Sequence, residues 1–586
     1  MRILLGVTLL RKNRSQWSGR GLAVAGTAAA LTLMSACSGS GADDSDVEVQ
    51  LLAFNDLHGR LAADDSMLLA NEDGEEVPAG GTEYLATHLA EARDGQPNSA
   101  TVAAGDLIGA TPFMSAAFND EPTLEAVEAM GLDVSSVGNH EFDGGVDELQ
   151  RLIDGGCPED GCPEGTDEWE GTSFEYLGAN VVDKKTEEPV LNPTWVKDFG
   201  DGVEVGFIGM TLEGTGDIVS KEGVKDVDFL DEVETANKHA EKLMDDGVNA
   251  IVVLLHEGGF PVEEDADYDC DTVGGTAGVS GPIVDIAEGL DSAIDVVVTG
   301  HTHQNYVCNI PDPEGTDRLV TSAESYGRVM TDIRADYDTE SNDFARASVE
   351  GSNLVVDREV SADSDQTEII ERYDELADGI GSEVVGYIDE DIVRVQTRDA
   401  ESALGNLIAD MQLERTASDD TGGADIAVMN PGGIRDDLLV GDDGEVTYAD
   451  AFSVQPFSNY LVTMDLTGDQ LVELLQQQWT DRDDEPLILQ WSEGFSYTID
   501  DSQTGADRLV EDSLELNGEA IEADQTYRVT ANSFLADGGD SFHTFADGEN
   551  RLTGELDLDA MLNWFADNSS ADEPVTAPEI NRITVE

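Results

Sequence analysis

Five separate apolar runs each break into a short polar segment carrying Asp, Asn or His, and this recurrence limits the folds open to the chain. Val47–Phe54 runs into Asn55-Asp56-Leu57-His58-Gly59, and Ala100–Ala104 into Gly105-Asp106. Val134–Val137 leads to Gly138-Asn139-His140-Glu141-Phe142-Asp143, Ala250–Leu255 to His256-Glu257, and Ile294–Val298 to Thr299-Gly300-His301-Thr302-His303. Short apolar runs alternating with helical stretches predict βα units around a buried sheet. In open α/β sheets such strand ends gather along one edge, where ligands bind. Only eight His occur in 586 residues, and five of them lie in these segments.

The residue types explain the pattern. Carboxylate oxygens, an amide oxygen and imidazole nitrogens suit Zn²⁺, Mn²⁺ or Fe. Asp56, His58, Asp106, Asn139, His256, His301 and His303 offer one bridging carboxylate and about three further ligands for each of two divalent ions. Two such ions activate water and neutralise the oxygens of a phosphate under in-line attack. Each residue alone reads as a turn residue, a helix cap or surface. Their joint placement at five strand ends points to a metal site.

Charge bounds the partners. Asp and Glu number 125 against 30 Lys and Arg, a formal net charge of −95, and no Lys follows Lys242. Binding a nucleic-acid polymer needs basic patches, which this composition disfavours. A dispersed acidic surface keeps protein soluble where salt screens its self-repulsion, so the charge reads as adaptation to high salt. With 40% hydrophobic residues the chain still buries real cores.

Export is expected from the first residues. Arg2, Arg11, Lys12, Arg14 and Arg20 precede an apolar stretch, Gly21–Met34, of signal-peptide length. Leu33-Met34-Ser35-Ala36-Cys37 resembles a bacterial lipobox, which makes residues 1–36 a lipoprotein signal and Cys37 the lipidated residue, with simple secretion as the alternative. Residues 37–47 then read as a flexible tether. The remaining cysteines, Cys157, Cys162, Cys270 and Cys308, suit an oxidising compartment. They allow three pairings; Cys157–Cys162 falls in a Gly/Pro/Glu loop, and Cys270–Cys308 staples a larger insert. A four-cysteine zinc site is the rival, disfavoured by the spacing.

A helical polar stretch at residues 361–380 reads as a connector, and a second unit follows from about residue 384. Leu404–Leu413 and Leu471–Trp479 read as helices, the latter with a Thr467/Gln470 capping box. Asp425–Met429, Leu461–Leu466 and Tyr527–Ala531 read as strands. Asn430-Pro431-Gly432-Gly433-Ile434-Arg435 follows the first, Gln455-Pro456-Phe457-Ser458-Asn459 precedes the second, and Asn532-Ser533-Phe534 through Asp540 follows the third. Glycines let backbone approach a ligand, and Arg forks onto phosphate oxygens.

Together these segments resemble the bacterial 5′-nucleotidase/UDP-sugar hydrolase family. The five N-terminal motifs look like the signature blocks of calcineurin-like metallophosphoesterases, and Asn139-His140-Glu141-Phe142-Asp143 is the more specific element. The resemblance implies an α/β protein: a four-layer α/β/β/α metallophosphoesterase domain at 48–345, a linker helix at 361–380, and an α+β substrate-binding domain at 384–565. It implies that Asp56, His58, Asp106 and His303 hold one metal, and Asp106, Asn139, His256 and His301 the other. His303 is the least typical ligand, its place being Asn or Gln in many relatives. His140 would contact the phosphate and Asp143 would orient it, with a metal-held water as nucleophile. Phe457 and Phe534 would sandwich the base, with Asn459 on its edge and Asp540 on the ribose. Arg398, Arg435 and Arg394 would grip phosphate beside Asn430. Pro431 replaces a Gly of the family's pattern and removes one backbone donor.

The expected activity is extracellular hydrolysis of nucleoside 5′-phosphates, extending to di- and triphosphates and UDP-sugars, with Zn or Mn as the metals. A 2′,3′-cyclic-nucleotide phosphodiesterase/3′-nucleotidase shares the architecture and is the nearest alternative. A non-catalytic surface nucleotide-binding protein is the alternative of another class. With metals on one unit and base recognition on the other, a hinge is expected near the end of the linker helix.

Overall fold

A computed structural model of the chain describes residues 46–586 apart from 64–66, 71–75, 159–160, 164, 220–222, 263–269, 271–277, 419, 442–443, 458, 481 and 483–485. The expected signal segment, Cys37 and most of the tether lie outside the described residues.

The apolar runs form the parallel centres of two sheets. In the first, Asp46–Phe54, Ser99–Ala104, Val134–Ser136 and Glu175–Leu177 lie side by side and parallel. Val329–Asp338 closes its other edge antiparallel to Asp46–Phe54, and carries Glu350–Val355 and Asp343–Phe344 in turn. In the second, Val203–Thr211, Ile251–His256, Val296–Thr299 and Asp317–Ala323 run parallel, with antiparallel Thr194–Gly200 and Asn305–Pro311 at the edges.

Side-chain alternation makes four layers of these two sheets. Leu51 and Ala53 pack with Val102, Val252, Leu254, Val296 and Val298 in a core between the sheets. Their neighbours Leu52 and Phe54 point the other way, against Leu85 and Leu89 of the helix Thr82–Arg93 and Leu124 and Val127 of Glu121–Ala129. On the far side, Val253 and Leu255 meet Ala236, Ala240 and Leu243 of the helix Glu232–Asp245 and Ile283 of Pro282–Gly289. Buried on both faces, each strand needs apolar residues at every position, which is why they read as unbroken runs.

The linker is the helix Ser364–Gly381, capped by Asp363, whose carboxylate accepts from the Asp365 and Gln366 amides. Ile369, Tyr373 and Ala377 pack on Phe113, Phe118 and Ala126 of the first unit, in a cluster that also takes in Tyr448, Ala449 and Phe452 of the second. Strands reach past the expected first-unit boundary at 345, because Glu350–Val355 pairs with the first sheet.

In the second unit a sheet has the order Gln490–Trp491, Ile426–Met429, Thr526–Asn532, Tyr460–Thr467, Glu549–Leu556. The helices Ala403–Thr416 and Gly468–Gln477 form, the latter with both arms of the Thr467/Gln470 capping box in place. The chain contributes beyond 565: Asp557–Asn568 is a helix, and Ile583–Val585 pairs in parallel with Phe495–Ile499. Of the three cysteine pairings, the structure has Cys157–Cys162 and Cys270–Cys308, with Cα atoms 4.7 and 4.8 Å apart.

His239, inside the helix Glu232–Asp245, is buried, and neither ring nitrogen has a hydrogen-bond partner among the described residues. Burial, reinforced by Lys238 and Lys242, pushes its imidazole down to about 4. An unfolded His binds its proton near pH 6.5. A depressed folded value therefore contributes stability above about pH 6.5 that is lost as pH falls toward 4. We expect denaturant midpoints of His239→Leu and wild type to diverge progressively over that interval, with the variant losing less. Parallel midpoints at every pH would exclude this role.

Candidate metal and nucleotide site

Parallel alignment delivers all five sequence motifs to one place. The strands ending at Phe54, Ala104 and Ser136 are parallel in one sheet, and those ending at His256 and Thr299 in the other. The polar segments just beyond them converge. Asp56, His58 and His303 offer ligand atoms within 4.8 Å of one another, as do Asp106, His256 and His301. Asp106 links the two groups: its Oδ2 lies 3.0 Å from His256 Nε2 and 3.6 Å from His58 Nε2. His303 Nε2 stands 3.3 Å from Asp56 Oδ1 and 3.1 Å from His58 Nε2.

The backbone bends sharply to achieve this. Asp56, His58, Asp106, His301 and His303 all have positive φ, between 47° and 72°. That conformation costs a non-glycine residue roughly 1 kcal/mol or more, and such strain clusters at functional sites. Glycine forms the floor where nothing larger fits. A Cβ on Gly138 would overlap Asp106 Oδ1 and stand 2.7 Å from Asp106 N. One on Gly300 would lie 2.8 Å from Asp56 Oδ2.

Outer contacts aim the imidazoles. His58 Nδ1 faces Gly109 O at 2.9 Å, and His256 Nδ1 faces Ala104 O at 2.7 Å. A nitrogen against a carbonyl carries the hydrogen, which turns Nε2 of each ring into the cage. Burial holds His58 well below the ordinary range and pushes His301 down to about 4, so both are neutral donors. At His256 burial opposes protonation, but the Asp106 carboxylate outweighs it and pushes the ring up to about 10. Burial likewise works against the Asp106 charge, and His256 and His140 hold it well below the usual carboxylate range.

The cage fits divalent cations. Asn139 Oδ1 is buried without a hydrogen-bond partner among the described residues. A buried polar atom left unpaired is costly, and a cation is the partner this oxygen and nitrogen set suits. His140 lies beside the cage, with its amide donating to Asp106 Oδ1 at 2.9 Å and its Nδ1 2.7 Å from Asp143 Oδ2. Burial opposes its charge, and Asp143 and Asp106 together raise its pKa.

Glu141 clips the strand ends together, a role the motif reading left unassigned. Its carboxylate accepts from the amides of Asp106 at 2.9 Å, Leu107 at 2.9 Å and Gly138 at 2.5 Å. Burial, with Asp106 nearby, pushes it up to about 7.

The second unit faces the cage across a cavity of about 580 Å³. Ile426–Met429 and Thr526–Asn532 are parallel, and Tyr460–Thr467 runs back between Thr526–Asn532 and Glu549–Leu556. The segments after the first two and before the third therefore share one sheet edge. Arg398, Asn430, Arg435, Phe457, Asn459, Phe534 and Asp540 line the cavity together with Asp106, Asn139, His140, Asp143, His301 and His303. Phe457 stacks on the His140 ring at 5.9 Å and 16°. The Phe534 ring lies where a Cβ on Gly539 would be. Asp540 Oδ2 accepts from Asn430 Nδ2 at 2.8 Å, and Asn459 Oδ1 accepts from Ser533 Oγ at 3.1 Å.

Arg394 stands behind this wall, with Nη1 donating to Ile434 O at 2.8 Å, next to Arg435. Burial and the nearby Arg435 charge push Arg398 down to about 10. Among the described residues, none of Arg394, Arg398 and Arg435 has a carboxylate within 4.0 Å. Pro431 costs no hydrogen bond: it opens the turn Pro431–Gly433, where an amide is not needed, and Gly433 N reaches Asn430 O at 3.2 Å. Ile218, Val219 and Tyr460 also line the cavity and carry no motif that would have marked them.

Comparison with known proteins agrees with this architecture. Residues 49–305 match the calcineurin-like phosphoesterase family, and residues 384–547 the 5′-nucleotidase C-terminal domain family. Cell wall protein Lmo0130 of Listeria monocytogenes is 32% identical over 569 residues, covering 92% of this chain and 69% of that protein.

The chain belongs to the 5′-nucleotidase family.

Endonuclease YhcR of Bacillus subtilis is 33% identical over 540 residues, and the match spans 92% of this chain but 41% of that protein. The crystal structure of a 5′-nucleotidase precursor from Thermus thermophilus has a TM-score of 0.72 at 25% identity, covering 92% of this chain and 99% of that one. The chain's calcineurin-like domain and its relatives named 5′-nucleotidase support a phosphoric monoester hydrolase.

Glu141 gives this geometry a direct check. In Glu141→Gln one acceptor becomes an NH₂ facing backbone amides. Losing such an outer contact typically costs about 10–100-fold in metal affinity or activity. We expect weaker divalent-metal retention by elemental analysis and a matching fall in phosphoester turnover. Wild-type metal affinity in the variant would exclude the clip.

Proposed function

We propose that the protein hydrolyses nucleoside 5′-phosphates to nucleoside and phosphate outside the cytoplasm, with nucleoside di- and triphosphates and UDP-sugars as further substrates. The observation that carries this reading is a single cavity that joins a carboxylate–imidazole cage, arginines without carboxylate partners, and two phenylalanines. In a chain of net charge −95, guanidiniums with no carboxylate within 4.0 Å among the described residues mark a place kept for an anion.

In this reading Asp56, His58, Asp106 and His303 hold one divalent cation, and Asp106, Asn139, His256 and His301 the other, Zn or Mn. When bound, the cations supply a nucleophilic water at neutral pH and neutralise phosphate oxygens. His140, kept charged by Asp143, sits where it stabilises negative charge developing on the phosphoryl group. Arg398 and Arg435 grip the phosphate, backed by Arg394 and Asn430. Phe457 and Phe534 hold the base between their faces, Asn459 meets its edge, and Asp540 takes the ribose hydroxyls. Product release would open the cavity by a rotation hinged near the end of the helix Ser364–Gly381.

Two disulfides suit an oxidising compartment, and the relative Lmo0130 is named a cell wall protein. Both support a location outside the cytoplasm, and the lipobox-like Leu33-Met34-Ser35-Ala36-Cys37 supports anchoring there through Cys37, with simple secretion as the alternative. The acidic surface supports a salt-rich environment.

The test is phosphate release from a nucleotide panel by metal-stripped protein, with Zn²⁺ or Mn²⁺ restored at low and high salt. We expect AMP hydrolysis to return with metal. Cleavage of 2′,3′-cyclic AMP with little AMP turnover would replace this reading by the cyclic phosphodiesterase. The base clamp is tested separately. Stacking is worth about 1–3 kcal/mol per base, so Phe457→Ala and Phe534→Ala should each raise KM for AMP by roughly 5–150-fold. Phe534→Ala should leave hydrolysis of p-nitrophenyl phosphate, which has no base, unchanged, and Phe457→Ala, whose ring also packs on His140, should lose less on it than on AMP; equal losses on both substrates would count against the clamp.

A further inference from the structure

The bend between the strands Asp317–Ala323 and Val329–Asp338 brings an aromatic residue to the cage that no motif announces. Glu324, Tyr326 and Gly327 all have positive φ, at 54°, 59° and 68°. For a bulky aromatic this is a strained backbone, sustained only where the surroundings fix it. Here they do. Tyr326 N donates to Asp56 O at 2.7 Å, Glu324 N to Gln304 O at 2.9 Å, and Asn55 Nδ2 to Glu324 O at 2.6 Å. The bend is thus tied to two of the segments that carry cage residues.

The strain places the ring. Its centroid lies 5.9 Å from that of His58 and 5.5 Å from that of His303. The guanidiniums of Arg60 and Arg328 stand 5.1 and 5.3 Å from it. Arg60 reaches across to Asp436, next to Arg435, at 3.8 Å. On that same side Arg394 and Arg398 lie close enough to interact electrostatically with the phenol. The ring is half-buried, yet its hydroxyl makes no hydrogen bond with any described residue. Packing and the cation–π contacts would be served equally by Phe. What Phe lacks is an O–H donor on a ring that flanks His58 and His303 and lies near the arginines.

We infer that Tyr326 is a substrate-contacting residue whose Oη donates a hydrogen bond to a non-bridging oxygen of the phosphoryl group held between the cage and the arginines. The inference rests on the phosphoester-hydrolase reading above. It concerns the phosphate and not the nucleoside, so the contact is the same for every substrate.

Tyr326→Phe keeps the ring and removes only a hydroxyl that the fold does not use. A hydrogen bond to a charged group is worth about 1.5–3 kcal/mol, so kcat/KM should fall about 10–100-fold. The fall should be equal for AMP and p-nitrophenyl phosphate. The inhibition constant of inorganic phosphate should rise in step, while bound metal and melting temperature stay at wild-type values. Wild-type kcat/KM and phosphate inhibition in Tyr326→Phe would overturn the inference while leaving the hydrolase reading intact. A loss of activity accompanied by lost metal, with phosphate inhibition unchanged, would also overturn it. An inactive wild-type enzyme under all metals would instead overturn the reading beneath it.

Discussion

The shared carboxylate of Asp106 is the contact on which the site depends. It lies at the end of a parallel strand in one sheet and faces His256 from the end of a parallel strand in the other. A buried carboxylate is costly unless it is paired and hydrogen-bonded. Asp106 meets this with the His140 amide, with His256, and with His58 at longer range. Each partner comes from a different strand end. The group that most needs compensation therefore ties the two sheets together at the edge where the cage forms, and it couples the integrity of that edge to the charge it holds.

Much of this was legible in the sequence because two simple regularities coincide. Residues buried on both sheet faces must be apolar throughout, so the strands stand out as runs. Parallel strands all end on one side, so the polar residues that follow are brought together whatever their separation in the chain. Asp56, Asp106, Asn139, His256 and His301 were all placed by that reasoning. The capping box at Thr467 was local and equally readable. Glu141, by contrast, acts through backbone amides of Asp106, Leu107 and Gly138, and an amide leaves no trace in residue identity. Tyr326, Ile218 and Val219 reach the site from a bend and a helix end that no motif marks, and Tyr460 from the first position of the strand Tyr460–Thr467. The strand Ile583–Val585 was missed because its partner, Phe495–Ile499, is remote in sequence and its own length is three residues.

Charge gives a second line of physical argument. Acids outnumber bases by 125 to 30, so a guanidinium placed at random would find a carboxylate nearby. Most described arginines do: Arg151, Arg328, Arg346 and Arg582 all sit in ion pairs. Arg394, Arg398 and Arg435 crowd one another instead, and mutual repulsion with burial lowers the affinity of Arg398 for its proton. Like charges held together, only partly offset by Asp436, Asp437 and Asp540, store unfavourable energy that an incoming anion releases.

The division of labour between the two units then follows from geometry. The cage belongs wholly to the first unit, and Phe457, Phe534 and Asp540 wholly to the second. Phe457 nevertheless stacks on His140, and Arg60 pairs with Asp436, so each unit completes a surface of the other. In the proposed reading aromatic faces accept any base and the cage takes only phosphate, so the identity of the base has little purchase on the chemistry. On that reading selectivity lies in the span between cage and clamp. That distance is set by the packing of Ser364–Gly381 against Phe113 on one side and Tyr448 and Phe452 on the other, well away from any atom that reacts.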